Sequence, residues 1–99
     1  MTRVVFDIET DSLKPSKIWC LVAKNIDSGQ LYTFGPEQIE QACDLLEKST
    51  YLVGHNILGY DIPVLERLTG RKVVSENTKV VDTLILSRLF NPTRSGPNA

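Results

Sequence analysis

Residues 3–9 have an apolar side chain at every second position, a pattern typical of a strand with one buried face. The positions predicted to face the core from a strand over residues 3–9 are Val4, Phe6 and Ile8. The opposite face carries Val5, Asp7 and Glu9, so two carboxylates are expected near the carboxyl end of this strand.

Two further strands are predicted over residues 17–25 and 30–34, because both segments contain β-branched and aromatic residues and few strand breakers. Asp27-Ser28-Gly29 between them has the composition of a tight turn, which predicts a hairpin. The beginning of the chain is therefore expected to form three antiparallel strands.

Apolar residues recur at helical spacing after Gly35-Pro36, and a proline suits the first turn of a helix. This first helix is predicted to end near Lys48. Its apolar positions are Ile39, Ala42, Leu45 and Leu46.

A short strand followed by a helix is then predicted twice. Residues 51–54 and 79–82 are short apolar runs typical of buried strands. The helix after the first run ends at Gly70, and its apolar positions are Ile62, Leu65 and Leu68. The helix after the second must end before Asn91-Pro92, and its apolar positions are Leu84, Ile85, Leu86 and Leu89.

This order of elements predicts an α/β fold, a mixed sheet with helices on its faces. The length of 99 residues allows one domain with its own core. We assign residues 1–92 to that domain and predict a disordered tail over residues 93–99.

The charge of the chain restricts how it could bind nucleic acid. Eleven basic and twelve acidic residues give a formal net charge of −1, so no overall positive field marks a nucleic-acid surface. Contact with nucleic acid must then be local, or bound metal must supply the positive charge.

Cys20 and Cys43 stand far apart, which predicts buried reduced thiols. No signal peptide or membrane span is recognisable, and we expect a cytoplasmic protein with no membrane partner.

Asp7 and Glu9 are the first candidates for chemistry. On a strand their α-carbons are about 6.6 Å apart and their side chains share a face. Two such carboxylates repel each other unless a cation lies between them, and hard oxygen ligands suit Mg²⁺ or Mn²⁺. The alternative is an ordinary solvated strand edge.

A second candidate segment runs from His55 to Leu65, at the exit of a predicted strand. Asp61 fits either the N-cap of the following helix or a metal ligand, and the two roles are compatible. Asn56 fits an ordinary turn, and His55 a structural hydrogen bond. Asp82 is either the N-cap of the third helix or a third carboxylate at the same sheet edge.

Three segments, in order, resemble the DEDD, or DnaQ-like, 3′→5′ exonuclease superfamily, and more narrowly the proofreading domain of phage family A DNA polymerases. They are Asp7-Ile8-Glu9-Thr10, His55-Asn56-x-x-Gly59-Tyr60-Asp61-x-Pro63-x-Leu65, and the stretch over residues 81–92. The resemblance extends over residues 3–92.

The resemblance implies a ribonuclease-H-like fold with two divalent metal ions, Mg²⁺ or Mn²⁺, that removes nucleotides from a single-stranded DNA 3′ end. The catalytic residues and metal ligands would be Asp7, Glu9 and Asp61. The residues in contact with substrate would be Thr10, Leu13 and Asn56. A phage origin would place the protein in the host cytoplasm.

The family's third motif, a tyrosine or histidine followed by a fourth carboxylate, has no counterpart in this sequence. No aspartate or glutamate follows Asp82, and no tyrosine follows Tyr60. The fold is therefore expected to be truncated before the last catalytic helix. Weak metal binding and little nuclease activity follow, unless a downstream polymerase or exonuclease fragment completes the site.

Other functions stay open at this point. A non-catalytic remnant would bind nucleic acid or a polymerase or replication partner, and an uncovered sheet edge would favour self-association. Oligoribonucleases share the first two motifs, which makes RNA an alternative substrate. The polymerase-like stretch over residues 81–92 favours DNA.

Overall fold

The computed structural model describes residues 2–11 and 16–90, with side chains described as far as Ser87. Its strands and helices are β1 (Arg3–Thr10), β2 (Ile18–Asn25), β3 (Leu31–Phe34), α1 (Ile39–Lys48), β4 (Tyr51–Gly54), α2 (Ile62–Thr69), β5 (Lys79–Asp82) and α3 (Thr83–Phe90). Every predicted strand and helix is present. The tail predicted over residues 93–99 lies outside the described residues.

The five strands form one sheet in the order β3-β2-β1-β4-β5. β2 pairs antiparallel with β1 and β3, whereas β4 pairs parallel with β1 and β5. The parallel register places Val5 beside Val53, and Val53 beside Val81. The prediction of three antiparallel strands within a mixed sheet is confirmed.

The core lies on the sheet face that carries the apolar side of β1. It combines sheet residues with residues of both α1 and α2, and several of its side chains are completely buried: Val4, Leu21, Leu46, Leu52 and Leu65. Complete burial of a leucine stabilises a fold by about 1.5–3 kcal/mol, so this face supplies most of the driving force for folding. The prediction that Val4, Phe6 and Ile8 face the core from β1 is confirmed.

The opposite face of the sheet is open in the part of the chain that the structure describes. One valine from each of four adjacent strands lies on it, half-buried or exposed: Val5, Val22, Val53 and Val81. Val22 is 38% exposed, whereas the core side chains of the same strand are buried. This face, called the open face below, also carries Asp7 and Glu9.

Gly54 ends β4 at a point where the chain passes very close to β1. A β-carbon at this position would lie 2.9 Å from the carbonyl oxygen of Phe6 and would overlap the side chain of Ile57. Only glycine leaves room for this approach. The segment after β4 can therefore run directly over the end of β1.

The interpretation of Asp61 as the N-cap of α2 is wrong. Asp61 has helical backbone angles, φ −58° and ψ −49°, and its side chain makes no capping hydrogen bond. The chain enters α2 from a π-helical turn, Ile57–Asp61, so the first amides of α2 continue an existing helix and need no cap. The Asp61 carboxylate is left available for a contact elsewhere.

Both cysteines are free, as predicted. Cys43 is buried in the core, as predicted, but the prediction of burial is wrong for Cys20, which is half-buried because it pairs with Glu9 on the open face. In residues 2–11 and 16–90, no helix combines the length and the apolar character that crossing a membrane requires.

Candidate functional site

The Asp61 carboxylate lies against the backbone of β1, between the two candidate carboxylates of that strand. Its Oδ2 accepts a hydrogen bond of 3.1 Å from the Ile8 N–H. The parallel pairing of β4 with β1 reaches only as far as Val5, so the Ile8 amide lies beyond the last residue paired on that side. Asp61 replaces the missing strand partner there.

A second contact holds the same segment to the end of β1. The hydroxyl groups of Thr10 and Tyr60 are 2.6 Å apart and share a hydrogen bond. Tyr60 and Asp61 are neighbours in the π-helical turn, which begins after Asn56 in a left-handed conformation with φ 58°. The turn thus brings two adjacent side chains onto two residues of the strand end.

Burial raises the pKa of Asp61 to about 6, and the negative charges of Asp7 and Asp82 add to this effect, while the Ile8 N–H opposes it. The side chain is only 4% exposed. The ionised form is therefore held in an unfavourable environment close to another carboxylate. A divalent cation would relieve both the repulsion and the desolvation.

Asp7 and Glu9 are exposed on the open face, as the alternation predicted. Asp7 stands opposite Val22 and Glu9 opposite Cys20 in the pairing of β1 with β2. Asp7 also lines a groove of about 660 Å³ with His55 and other residues of this face. Both carboxylates are therefore open to solvent, and the negative charge of Asp7 acts on the buried Asp61.

Asp7 and Glu9 project from the end of β1, and Asp61 is bonded to the backbone between them, but the three carboxylates do not form a closed ligand set. In the ranges that the structure describes, no group of three or more His, Cys, Asp or Glu side chains is arranged to hold a metal ion. Asp7 and Asp61 interact electrostatically, and Glu9 projects from the same face of β1 two residues further on. Hard oxygen donors of this kind fit Mg²⁺ or Mn²⁺. The metal site itself stays a prediction.

Asp82 is an N-cap and also anchors the loop after β4. Its carboxylate accepts hydrogen bonds from the backbone amides of Leu84 at 2.9 Å, Asn56 at 2.8 Å and Leu58 at 3.0 Å. Burial raises the pKa of Asp82, but these amides lower it more, and its net pKa is below the ordinary value. The prediction that Asp82 caps the third helix is confirmed.

The remaining predicted site residues have different surroundings. His55 is exposed, and its Nδ1 lies 3.1 Å from the Thr83 hydroxyl, which supports the structural interpretation of this histidine. Asn56 is exposed and occupies a turn, with its backbone amide bonded to Asp82. Leu13 lies outside the described residues.

Sequence reasoning missed the most specific contact of the site, the bond between Asp61 and the Ile8 amide. It also missed the position of Trp19, which is exposed beside the end of β1. No local signal marks a bond between residues 53 positions apart. For the second feature, the sequence offered only the tryptophan itself, within the strand predicted over residues 17–25.

The order and directions of the strands define a ribonuclease-H-like α/β fold, in which three antiparallel strands continue into two parallel ones. The chain is similar to part of the family B DNA polymerase from the hyperthermophilic archaeon Pyrobaculum calidifontis, with a TM-score of 0.67 and 18% sequence identity. The match covers 85% of this chain and 15% of the polymerase chain.

No protein-family model and no curated protein matches the chain. At 18% identity the similarity establishes the fold, which is that of a segment found in a DNA polymerase. The matching polymerase belongs to family B. The narrower resemblance to phage family A polymerases stays a prediction.

Proposed function

We propose that this chain is part of a two-metal-dependent 3′→5′ exonuclease domain with a proofreading role at DNA 3′ ends. The observation that carries the proposal is the position of Asp61, whose buried carboxylate is bonded to the backbone of β1 between Asp7 and Glu9. A carboxylate with a pKa near 6 beside another carboxylate is the environment expected where a cation binds. The similarity of the fold to a segment of a DNA polymerase supports DNA as the substrate.

Each residue would have a distinct role. Asp7 and Glu9 would hold one divalent ion, and Asp7 with Asp61 the other. Divalent ions in such a pair supply an activated water and stabilise the leaving oxygen. The Ile8 amide orients Asp61, and the hydrogen bond between Thr10 and Tyr60 holds the turn on the strand end.

The resemblance implies a fourth carboxylate, and the proposal therefore includes a partner polypeptide that supplies it. The open face offers it a place to pack, because its valines lie beside Asp7 on the same side of the sheet. Covering these side chains would exclude water from the carboxylates and strengthen their hold on metal. The separate chain is then expected to bind metal weakly.

Metal binding is tested by thermal unfolding at neutral pH. If millimolar Mn²⁺ exceeds the dissociation constant about tenfold, it stabilises the folded chain by about 1.4 kcal/mol. The unfolding midpoint should then rise by roughly 5–10 °C for a domain of this size.

We expect Asp7→Asn to abolish the shift, because the variant removes a shared ligand. The matched control is Glu76→Gln, an exposed carboxylate in the loop before β5, which should keep the full shift. Equal shifts in all three proteins would contradict the metal site.

Activity is tested by complementation. The chain is mixed with a separately expressed fragment that carries the missing Tyr-x-x-x-Asp pattern, together with Mn²⁺ and a single-stranded oligonucleotide. We expect trimming from the 3′ end only in the mixture, and none with Asp7→Asn. No trimming in any mixture counts against the exonuclease proposal.

The open face also favours a second candidate, a non-catalytic module that binds DNA or a polymerase or replication partner. Such a module would keep its partner affinity in Asp7→Ala and Asp61→Ala, whereas a metal enzyme would lose its function. Self-association through β3 or β5, the two edge strands, would appear in light scattering as an increase in mass with concentration.

A further inference from the structure

Trp19 occupies an irregular position in the pairing of β1 with β2. Thr10 pairs with Ile18 and Glu9 pairs with Cys20, so Trp19 has no partner and the register shifts at this point. An extra residue of this kind redirects side chains and increases the local twist, and such bulges are common next to active sites. This bulge lies at the end of β1, opposite the candidate metal ligand Glu9.

The bulge presents the indole ring to solvent. Trp19 is 50% exposed, and the ammonium group of Lys17 lies over its ring, with Nζ 4.5 Å from the ring centroid. An exposed tryptophan with a lysine on one side combines an aromatic face with a positive charge. Base stacking and phosphate binding need the same combination.

The backbone that carries Lys17 is held in place by Asp11. The Lys17 amide donates to Asp11 Oδ1 at 3.2 Å, and the Asp11 amide donates to the Lys17 carbonyl oxygen at 3.3 Å. The Ser16 hydroxyl also donates a hydrogen bond to the Asp11 carboxylate. This hydrogen bond contributes most to lowering the pKa of Asp11. These hydrogen bonds hold the backbone of Lys17 beside the end of β1, so the lysine side chain starts from a defined position next to Trp19.

We propose that Trp19 is a stacking platform for a base of single-stranded DNA, with Lys17 bound to a neighbouring phosphate. The proposal rests on the proposed function, because it places the strand beside the carboxylates of β1. The α-carbon of Trp19 is within about 9 Å of that of Glu9, the sum of one cross-strand step and one chain step. A single strand of DNA can therefore contact both Trp19 and the carboxylates of β1.

The position of Lys17 on the Trp19 ring favours DNA over a protein as the partner of this surface. Protein interfaces are enriched in tryptophan but depleted in lysine at their centres, so a lysine stacked on the ring is unfavourable there. Single-stranded nucleic acid uses both side chains. With a net charge of −1, the chain presents no overall positive field to DNA, so a local positive charge such as that of Lys17 favours binding.

The chain contains a single tryptophan, so tryptophan emission, excited at a wavelength that the three tyrosines do not absorb, reports on this position alone. A single-stranded oligonucleotide with a hydrolysis-resistant phosphorothioate 3′ linkage is titrated into the chain in Mg²⁺ and, separately, in EDTA. We expect saturable quenching of the Trp19 emission. Double-stranded DNA of the same sequence should quench it less, because its bases are already stacked.

Affinities are measured from the anisotropy of a labelled oligonucleotide. Trp19→Leu should weaken binding roughly 5- to 100-fold, and Trp19→Phe should restore most of the loss because it keeps an aromatic face. Lys17→Gln should weaken binding and reduce the slope of log affinity against log salt by about 0.7. The matched control is Leu31→Ala on the edge strand β3, where a 64% exposed apolar side chain is removed and binding should be unchanged.

Each outcome has a defined meaning. Unchanged affinity in Trp19→Leu overturns the proposal, and so does emission that changes with protein concentration but not with DNA, since Trp19 would then lie in a protein interface. Failure of the metal site gives a different result. Quenching would be equal in Mg²⁺ and EDTA and unaffected by Asp7→Asn, while Trp19→Leu would still weaken binding.

Discussion

Replacing Asp82 with alanine is expected to lower the free energy of unfolding by about 3–5 kcal/mol. The side chain is 5% exposed, and its carboxylate accepts three backbone hydrogen bonds, from Asn56, Leu58 and Leu84. Alanine leaves all three amides without their acceptor, and it removes the cap of α3 at the same time. The loss would be a large part of the 5–15 kcal/mol typical of a domain.

Urea unfolding followed by circular dichroism measures this loss. The matched control is Asp44→Ala, which breaks an exposed ion pair with Arg71 at 2.7 Å and should cost less than about 1 kcal/mol. Asp82→Asn should fall between the two, because it keeps one acceptor oxygen. Equal losses in Asp82→Ala and Asp44→Ala would contradict the role of Asp82 as an anchor.

The effect of Asp82 should also depend on pH. Its pKa in the folded chain is below the ordinary value, so its contribution is complete above the unfolded pKa of about 3.8 and is lost as pH falls through the folded pKa. The difference between the original chain and Asp82→Ala should therefore shrink in acid. A difference that is constant over this range would contradict the charge-assisted hydrogen bonds.

Replacing Asp61 with asparagine is expected to raise the free energy of unfolding at neutral pH, in EDTA, by about 2–3 kcal/mol. Burial raises the pKa of Asp61 to about 6, roughly two units above its value in an unfolded chain. Ionisation is therefore costly in the folded state. Asparagine carries no charge, and its oxygen can still accept the Ile8 N–H.

The sign of the pH dependence follows from the raised pKa. Stability contributed by the neutral Asp61 is complete below about pH 4 and is lost as pH rises through about 6. The gain from Asp61→Asn should therefore be largest above pH 6 and should vanish in acid. Unfolding curves over a pH series, for the original chain and the variant, measure this difference.

Asp7→Asn is the matched control for the charge. It removes a neighbouring negative charge without changing the buried group, so we expect a smaller gain at neutral pH. Added Mn²⁺ should narrow the difference between Asp61→Asn and the original chain by about 1.4 kcal/mol, because it stabilises the original chain and neither variant. A loss of stability in Asp61→Asn at every pH would show that the carboxylate is not repelled in the folded chain.

Much of the fold follows from local patterns. The alternation in β1 predicted its buried side, Asp27-Ser28-Gly29 predicted the hairpin, and Gly70 marked the end of α2, where it adopts φ 72°. Local rules succeed here because side-chain period and turn conformation depend on residues within a few positions of one another. The N-cap at Asp82 belongs to the same group, because its partner Leu84 is two residues away.

Of the two roles that local patterns allowed for Asp61, the N-cap is wrong. An aspartate at the start of a helix favours an N-cap, but the π-helical turn removed the need for one, and the carboxylate bonds to Ile8 instead. Only the tertiary structure brings this residue to β1, because Gly54 lets the chain pass over the strand end. The long-range hydrogen bond to Ile8, rather than a position at the start of a helix, therefore decides the role of Asp61.

The sequence by itself determined which residues could perform chemistry and which strand or turn would carry them. The tertiary structure decided how those residues meet: Asp61 beside Asp7, Asp82 on the loop amides, and Trp19 displaced at a bulge opposite Glu9. The physical reason is that periodicity and turn preference act over a few residues. Burial, repulsion between carboxylates and strand register depend on chain segments that are distant in sequence and adjacent in space.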